Sequence, residues 1–168
     1  MENKITFQGS PLNLVGNSTD VGKELPEVEL VANDMSKVKL SSYKGKLLVI
    51  CTVPSLDTPV CDIEIKKFNQ EATNLSDAVQ VLAISADLPF AQARWCGAAN
   101  IKRVKTLSDY NGLNLANGMG VLIDELKLLA RAVFIVDREG VVRYVQLVKE
   151  LTNEPDYEDV LKALKDLI

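Results

Sequence analysis

The sequence predicts a three-layer α/β domain built on a mixed sheet. Three observations carry this. Apolar runs and amphipathic stripes follow each other in the order hairpin, β, α, β, α, β-hairpin, α. The chain has 168 residues, the size of one domain, and 47% of them are apolar, enough to bury a core. Charged residues make up 25%, with only 9 Gly and 6 Pro, which excludes disorder and fibrous repeats.

Ile5–Phe7 and Leu12–Val15 flank Gln8-Gly9-Ser10-Pro11 and read as a hairpin. Residues 1–16 are thus expected to extend a single domain spanning residues 1–168. Asn17–Leu25 is polar and reads as a loop. Val28–Val31 and Val38–Leu40 read as short strands. Tyr43-Lys44-Gly45-Lys46 turns into Leu47–Val53, an apolar run bounded by Pro54, which fits a strand buried on both faces.

The best-marked helix follows. Thr58 is an N-cap and Pro59 the first helical residue. Cys61, Ile65, Phe68, Ala72 and Leu75 form its apolar stripe, with Asp62, Glu64, Lys66, Lys67, Asn69 and Glu71 on the other face. Val79–Ala86 is strand-like. Pro89–Trp95 reads as a short helix with Cys96 at its end and Gly97 as its stop. Val104–Leu107 reads as a short strand, and Ser108–Asn117 as a helix ending at Gly118. Ala130–Val136 and Val141–Val148 are strands joined by the hairpin turn Asp137-Arg138-Glu139-Gly140. Asp156–Ile168 closes the chain as a helix, with Val160, Leu161, Leu164 and Ile168 at helical spacing after Pro155.

Composition removes whole classes of function. The net charge of −4 lacks the basic excess that nucleic-acid and anionic-membrane binders need. The absence of histidine excludes a Ser-His-Asp triad, a Cys-His pair, His-ligated haem and His-containing zinc sites. The 3 cysteines are Cys51, Cys61 and Cys96, with no C-x-x-C pair and too few thiolates for a zinc site of their own. They do not resemble a secreted disulfide scaffold and suit a reducing compartment. The N-terminus carries no apolar h-region, and the longest uncharged apolar-rich run, Leu47–Leu56, is too short for a membrane span. The chain therefore reads as soluble and unexported.

Cys61 falls at the third position of its helix, where unpaired N–H groups and the dipole stabilise a thiolate. The plainer reading makes Cys61 the first apolar knob of the stripe. The segment Pro54–Cys61 contains P-x-x-x-T-x-x-C, and Thr52–Asp62 reads TVPSLDTPVCD. Here the chain resembles the peroxiredoxins, most closely their thiol peroxidase branch. The resemblance extends through Ile5-Thr6-Phe7-Gln8-Gly9, Arg94-Trp95-Cys96-Gly97, Ala130-Arg131-Ala132-Val133 and Glu154-Pro155-Asp156-Tyr157. It covers essentially the whole chain, including the hairpin that other peroxiredoxins lack.

This resemblance implies a thioredoxin-like fold and assigns roles by position. Cys61 matches the peroxidatic cysteine, and Cys96 the resolving cysteine of the atypical two-cysteine type. Thr58 matches the threonine whose hydroxyl contacts thiolate and peroxide. Pro54 matches the proline that shields the pocket, and Arg131 the arginine that completes the site. It further implies reduction of hydrogen peroxide and organic hydroperoxides, an intrachain Cys61–Cys96 disulfide, recycling by a thioredoxin-type dithiol, a homodimer and a cytoplasmic location. No metal or organic cofactor is required.

The residues themselves fit these roles and leave alternatives. Arg131 in an apolar strand needs an anion, either the Cys61 thiolate or a carboxylate at a strand edge. Thr58 also reads as a plain N-cap, and Pro54 as a strand terminator. Cys96 at a helix C-terminus is a poor attacker on peroxide and suits the second step; otherwise it is a small hydrophobe beside Trp95. Cys51, mid-strand, reads as a core cysteine without a role. Two other functions stay open: a peroxide sensor that passes oxidation to a partner, marked by slow recycling, and a non-catalytic binding module, marked by an unreactive Cys61.

Overall fold

The computed structural model describes residues 1–72 and 74–168. Of Ala72 the backbone alone is described, so its expected place in the stripe lies outside the described residues.

The chain opens with the hairpin strands β1 (Lys4–Phe7) and β2 (Ser10–Val15). Strands β3 (Glu29–Ala32), β4 (Lys37–Lys39), β5 (Leu47–Thr52), β6 (Val79–Ser85) and β7 (Val104–Ser108) follow, with helices α1 (Pro59–Ala72) and α2 (Pro89–Ala99) as crossovers. Helix α3 (Asn114–Met119) precedes β8 (Leu122–Ile123), β9 (Leu128–Leu129), β10 (Ala132–Val136), β11 (Val142–Leu147) and α4 (Tyr157–Lys165). Among the described residues the central sheet has the order β11-β10-β5-β6-β7-β3-β4. The β5-β6 and β6-β7 pairs are parallel, and the others antiparallel.

β5 is the axis of this sheet. All six of its residues are buried, as expected of an uninterrupted apolar run between two neighbours. Alternation sends Leu48 and Ile50 into one core cluster. Leu47, Val49 and Cys51 enter the other, with Cys61, Ile65 and Phe68 of α1 and Val160 and Leu164 of α4. Leu115, Ala116 and Met119 of α3, together with the small sheet β1-β2-β8-β9, cover the first face. Two covered faces around one mixed sheet give the expected three layers.

Several boundaries differ from the sequence reading. Helix α2 runs on to Ala99, so Cys96 lies within its last turn rather than at its end. Its stop is Asn100, with a left-handed φ of 54°, not Gly97; asparagine tolerates that conformation, and Gly97 remains an ordinary helical residue. The helix expected over Ser108–Asn117 begins only at Asn114, because the Asp109 carboxylate accepts from Leu115 N at 3.0 Å and Ala116 N at 2.9 Å. Residues 109–113 thus wrap around that side chain. The helix ends at Gly120, φ 72°, where a Cβ would sit 2.7 Å from the Asn17 carbonyl oxygen.

β10 begins at Ala132, so Arg131 stands just ahead of the strand and not inside it. Strands β8 and β9 were not foreseen. Each has two residues, too few for a period, and β8 is recruited by pairing with β2. Among the described residues no helix is long and apolar enough to cross a membrane.

Candidate active site

The segment between β5 and α1 is built from the edge of the sheet. Val53 N still donates to Ile84 O at 3.0 Å, and then Pro54, buried and without an N–H, ends the ladder. Asp87 holds the loop that follows. Its carboxylate accepts from Ser55 Oγ at 2.7 Å, Leu56 N at 2.8 Å and Ser85 Oγ at 2.7 Å.

Thr58 caps α1. Its hydroxyl donates to Ser55 O at 3.1 Å and accepts from Cys61 N at 3.3 Å. The proton of the Thr58 hydroxyl therefore points to the loop carbonyl, while its oxygen holds the amide of Cys61.

Cys61 is fully buried in the first turn of α1. Arg131 Nη1 donates to Cys61 Sγ at 3.2 Å. The guanidinium, 2% exposed, is fixed at its other edge by the Leu151 carbonyl, which accepts from Nε at 3.2 Å and Nη2 at 2.9 Å. The Leu151 amide in turn donates to Thr6 O of β1 at 2.8 Å. The N-terminal hairpin thus backs the loop that orients Arg131.

A third group completes this cluster and was missed in the sequence. Glu64, placed on the polar face of α1, is fully buried, and its Oε2 accepts from Arg131 Nη1 at 2.7 Å. Its signal was available: position 64 lies one helical turn from Cys61, and a buried arginine asks for a counter-charge. Burial pushes the Glu64 carboxyl up to about 7 against the pull of Arg131, and the Glu154 charge adds to the rise. Burial opposes the charge on Arg131, but Cys61 and Glu64 outweigh it and hold the guanidinium above its ordinary value. Burial also drives the Cys51 thiol well above its ordinary value, with the Glu64 charge adding to the effect.

Cys96 is not brought to Cys61. Both thiols are free. Cys96 Sγ lies 3.3 Å from Thr106 Oγ1, and that hydroxyl spends its proton on Asn33 Oδ1 at 2.9 Å. Cys96 is therefore the donor, an S–H held against β7. The groups that engage the two sulfurs stand on β7 and just ahead of β10, three places apart in the sheet, or about 14 Å.

Among the described residues no group of three or more Cys, Asp or Glu converges as metal ligands would. A cavity of about 430 Å³ bounded by Leu25, Pro26, Leu40, Tyr43 and Leu48 shares no lining residue with the Cys61 cluster.

Comparison with known proteins places this geometry. The Redoxin family model matches residues 20–161. The thiol peroxidase of Halalkalibacterium halodurans is 51% identical over 161 residues, covering 96% of each chain. The solved peroxiredoxin-like protein of Aquifex aeolicus superposes with a TM-score of 0.94 at 44% identity, over 100% of this chain and 99% of its own. The thiol peroxidase of Chromobacterium violaceum, at 19% identity, shares the fold with a TM-score of 0.88, over 99% of this chain and 97% of its own. A buried thiol at a helix start, met by a guanidinium in a chain of this pedigree, belongs to the redoxin family and, within it, to the thiol peroxidases.

Proposed function

We propose that the chain is a thiol-dependent peroxidase that reduces hydrogen peroxide and organic hydroperoxides. The carrying observation is the 3.2 Å contact between Arg131 Nη1 and Cys61 Sγ in a site closed to water. That nitrogen is a cationic hydrogen-bond donor within reach of the sulfur.

The thiolate attacks one peroxide oxygen. The S–O bond forms as the O–O bond breaks, leaving a sulfenic acid and an alkoxide or hydroxide that takes up a proton. Arg131 is a donor aimed at that developing charge. Thr58 takes part through its hydroxyl, which turns from Ser55 O to the substrate. Pro54 keeps water from the sulfur.

Cys96 then condenses with the sulfenic acid, releasing water and forming the Cys61–Cys96 disulfide. A thioredoxin-type dithiol reduces it by two exchanges, becoming a disulfide itself. The place of Cys96 away from the Arg131–Cys61 contact suits this second role. The chain acts as one domain, in a homodimer, in the reducing cytoplasm, without metal or organic cofactor.

The test is peroxide consumption with a thioredoxin system. Intact protein and Cys51→Ser should turn over, and Cys61→Ser should not. Full turnover by Cys61→Ser, or its loss in folded Cys51→Ser, overturns the assignment.

A further inference from the structure

Cys61, Arg131 and Glu64 place two potential anions against one cation. Arg131 Nη1 carries two hydrogens, and gives one to Cys61 Sγ at 3.2 Å and one to Glu64 Oε2 at 2.7 Å. Glu64 and Cys61 are fully buried and Arg131 is 2% exposed. With both acids ionised the cluster would carry a net negative charge away from water. The second Glu64 oxygen, Oε1, is buried with no hydrogen-bond partner among the described residues. An ionised carboxylate with one oxygen bare is poorly compensated there.

Resting on Cys61 as the reacting thiol, we propose that Cys61 and Glu64 share a single proton, making Glu64 a positioning residue that releases Arg131 to the thiolate. When Glu64 is protonated, the guanidinium charge is committed to sulfur. When Glu64 is ionised, it competes for the same nitrogen and disfavours the thiolate. The two acids titrate as a pair rather than singly.

The surroundings support this. The groups facing Glu64 are Cys61 on its own helix, Arg131 ahead of β10, Cys51 on β5, Glu154 in the segment before α4 and Tyr157 at its start. Arg131 is the one cation in that set, and burial holds the Glu64 carboxyl up to about 7 against its pull. The chemistry stays balanced. Thiolate, protonated Glu64 and ROOH give sulfenic acid, ROH and ionised Glu64, the carboxyl proton ending on the departing oxygen. Ionised Glu64 then keeps Arg131 paired once the thiolate charge is gone.

The test reads Cys61 directly. Thiolate absorbance is titrated from about pH 5 to about pH 9, subtracting Cys61→Ser at each point to isolate this sulfur. In the intact protein the thiolate should appear in two steps. In Glu64→Gln it should appear in one, its midpoint lower than the upper step by about one pH unit or more. Glu64→Asp should restore two steps. An unchanged titration in Glu64→Gln, even with slower peroxide reduction, overturns the shared proton and leaves only a structural role. Coupling must be reciprocal. In Cys61→Ser the infrared carbonyl band of the protonated carboxyl should therefore disappear at lower pH than in the intact protein. That readout decides the matter if Glu64→Gln does not fold, and an unmoved band overturns the proposal. An intact protein that consumes no peroxide refutes the peroxidase reading and leaves the titration result standing.

Discussion

Trp95 Nε1 donates to Asp62 Oδ1 at 2.8 Å, joining the residue before Cys96 to the residue after Cys61. The helices that carry the two cysteines are thus latched beside their sulfurs. A weaker contact between Arg94 and Asp57 at 4.0 Å lies alongside. Disulfide formation needs Cα atoms within roughly 4.4–6.8 Å, so in the proposed cycle the latch opens before the second step.

Asp62→Ala should therefore accelerate disulfide formation. A hydrogen bond to a charged group contributes about 1.5 kcal/mol or more, so local opening should become about 10-fold easier. Stopped-flow fluorescence of Trp95, the single tryptophan, follows the step after a peroxide pulse. Trp95→Phe breaks the same bond and is read by quenched non-reducing gels. Unchanged rates in both would remove the latch.

Thr58→Val should slow sulfenate formation by on the order of 10²-fold, the cost of losing one donor to developing charge. It should also cost about 1 kcal/mol of stability, because the Cys61 amide loses its cap. Arg131→Ala slows the same step, but strands Glu64 and the Leu151 carbonyl and should destabilise by about 3–5 kcal/mol. Urea denaturation separates the two effects. Peroxide reaction rates that match the intact protein in folded samples of both variants would show that neither residue acts on the sulfur.

Cys96→Ser should reduce one equivalent of peroxide and then stall as a sulfenic acid open to further oxidation. Peroxide-treated intact protein should run on non-reducing gels as a compact monomer. A covalent dimer that requires Cys96 would disprove the intrachain bond.

Glu150 gives a pH prediction away from the cysteines. Its carboxylate accepts from Thr152 Oγ1 at 2.7 Å and N at 2.9 Å, and from Gly9 N and Thr6 Oγ1 at 2.9 Å each. The Thr152 hydroxyl first, then the backbone N–H groups, hold it down to about 2 from an ordinary 4.5. A depressed carboxyl contributes stability that is complete above 4.5 and lost as pH falls through about 2. Hydrogen-exchange protection at Gly9 should therefore fall across that window in the intact protein. In Glu150→Ala it should already be low at neutral pH. Protection that is flat with pH in the intact protein would contradict this tie.

Periodicity and turn chemistry made β5, α1, the Asp137–Gly140 hairpin and α4 legible, because each depends on neighbours in the chain. The Asp156 cap, accepting from Asp159 N at 3.1 Å, is of this local kind. What escaped depends on distant partners. Asp109 reaches six and seven residues along to cap α3. β8 exists through β2, more than a hundred residues earlier. Glu64 reads as solvated because it is itself charged and falls outside the Cys61–Ile65–Phe68 stripe, and only the arrival of Arg131 makes its burial tolerable. Cys61 and Thr58 were readable as a helix start; the S–H donor role of Cys96 depended on Thr106 and Asn33.

The distance in sequence between Cys61 and its guanidinium, 70 residues, has a meaning during translation. A ribosome extrudes Cys61 long before Arg131, and Arg131 before the Leu151 carbonyl that fixes it, a further 20 residues on. Until β10 slots beside β5, the emerging thiol has neither the cation nor the enclosure of the finished site. With Cys61 as the reacting thiol proposed above, its setting for peroxide exists only in a finished chain. A prematurely terminated product ending before residue 131 would carry this cysteine without its guanidinium.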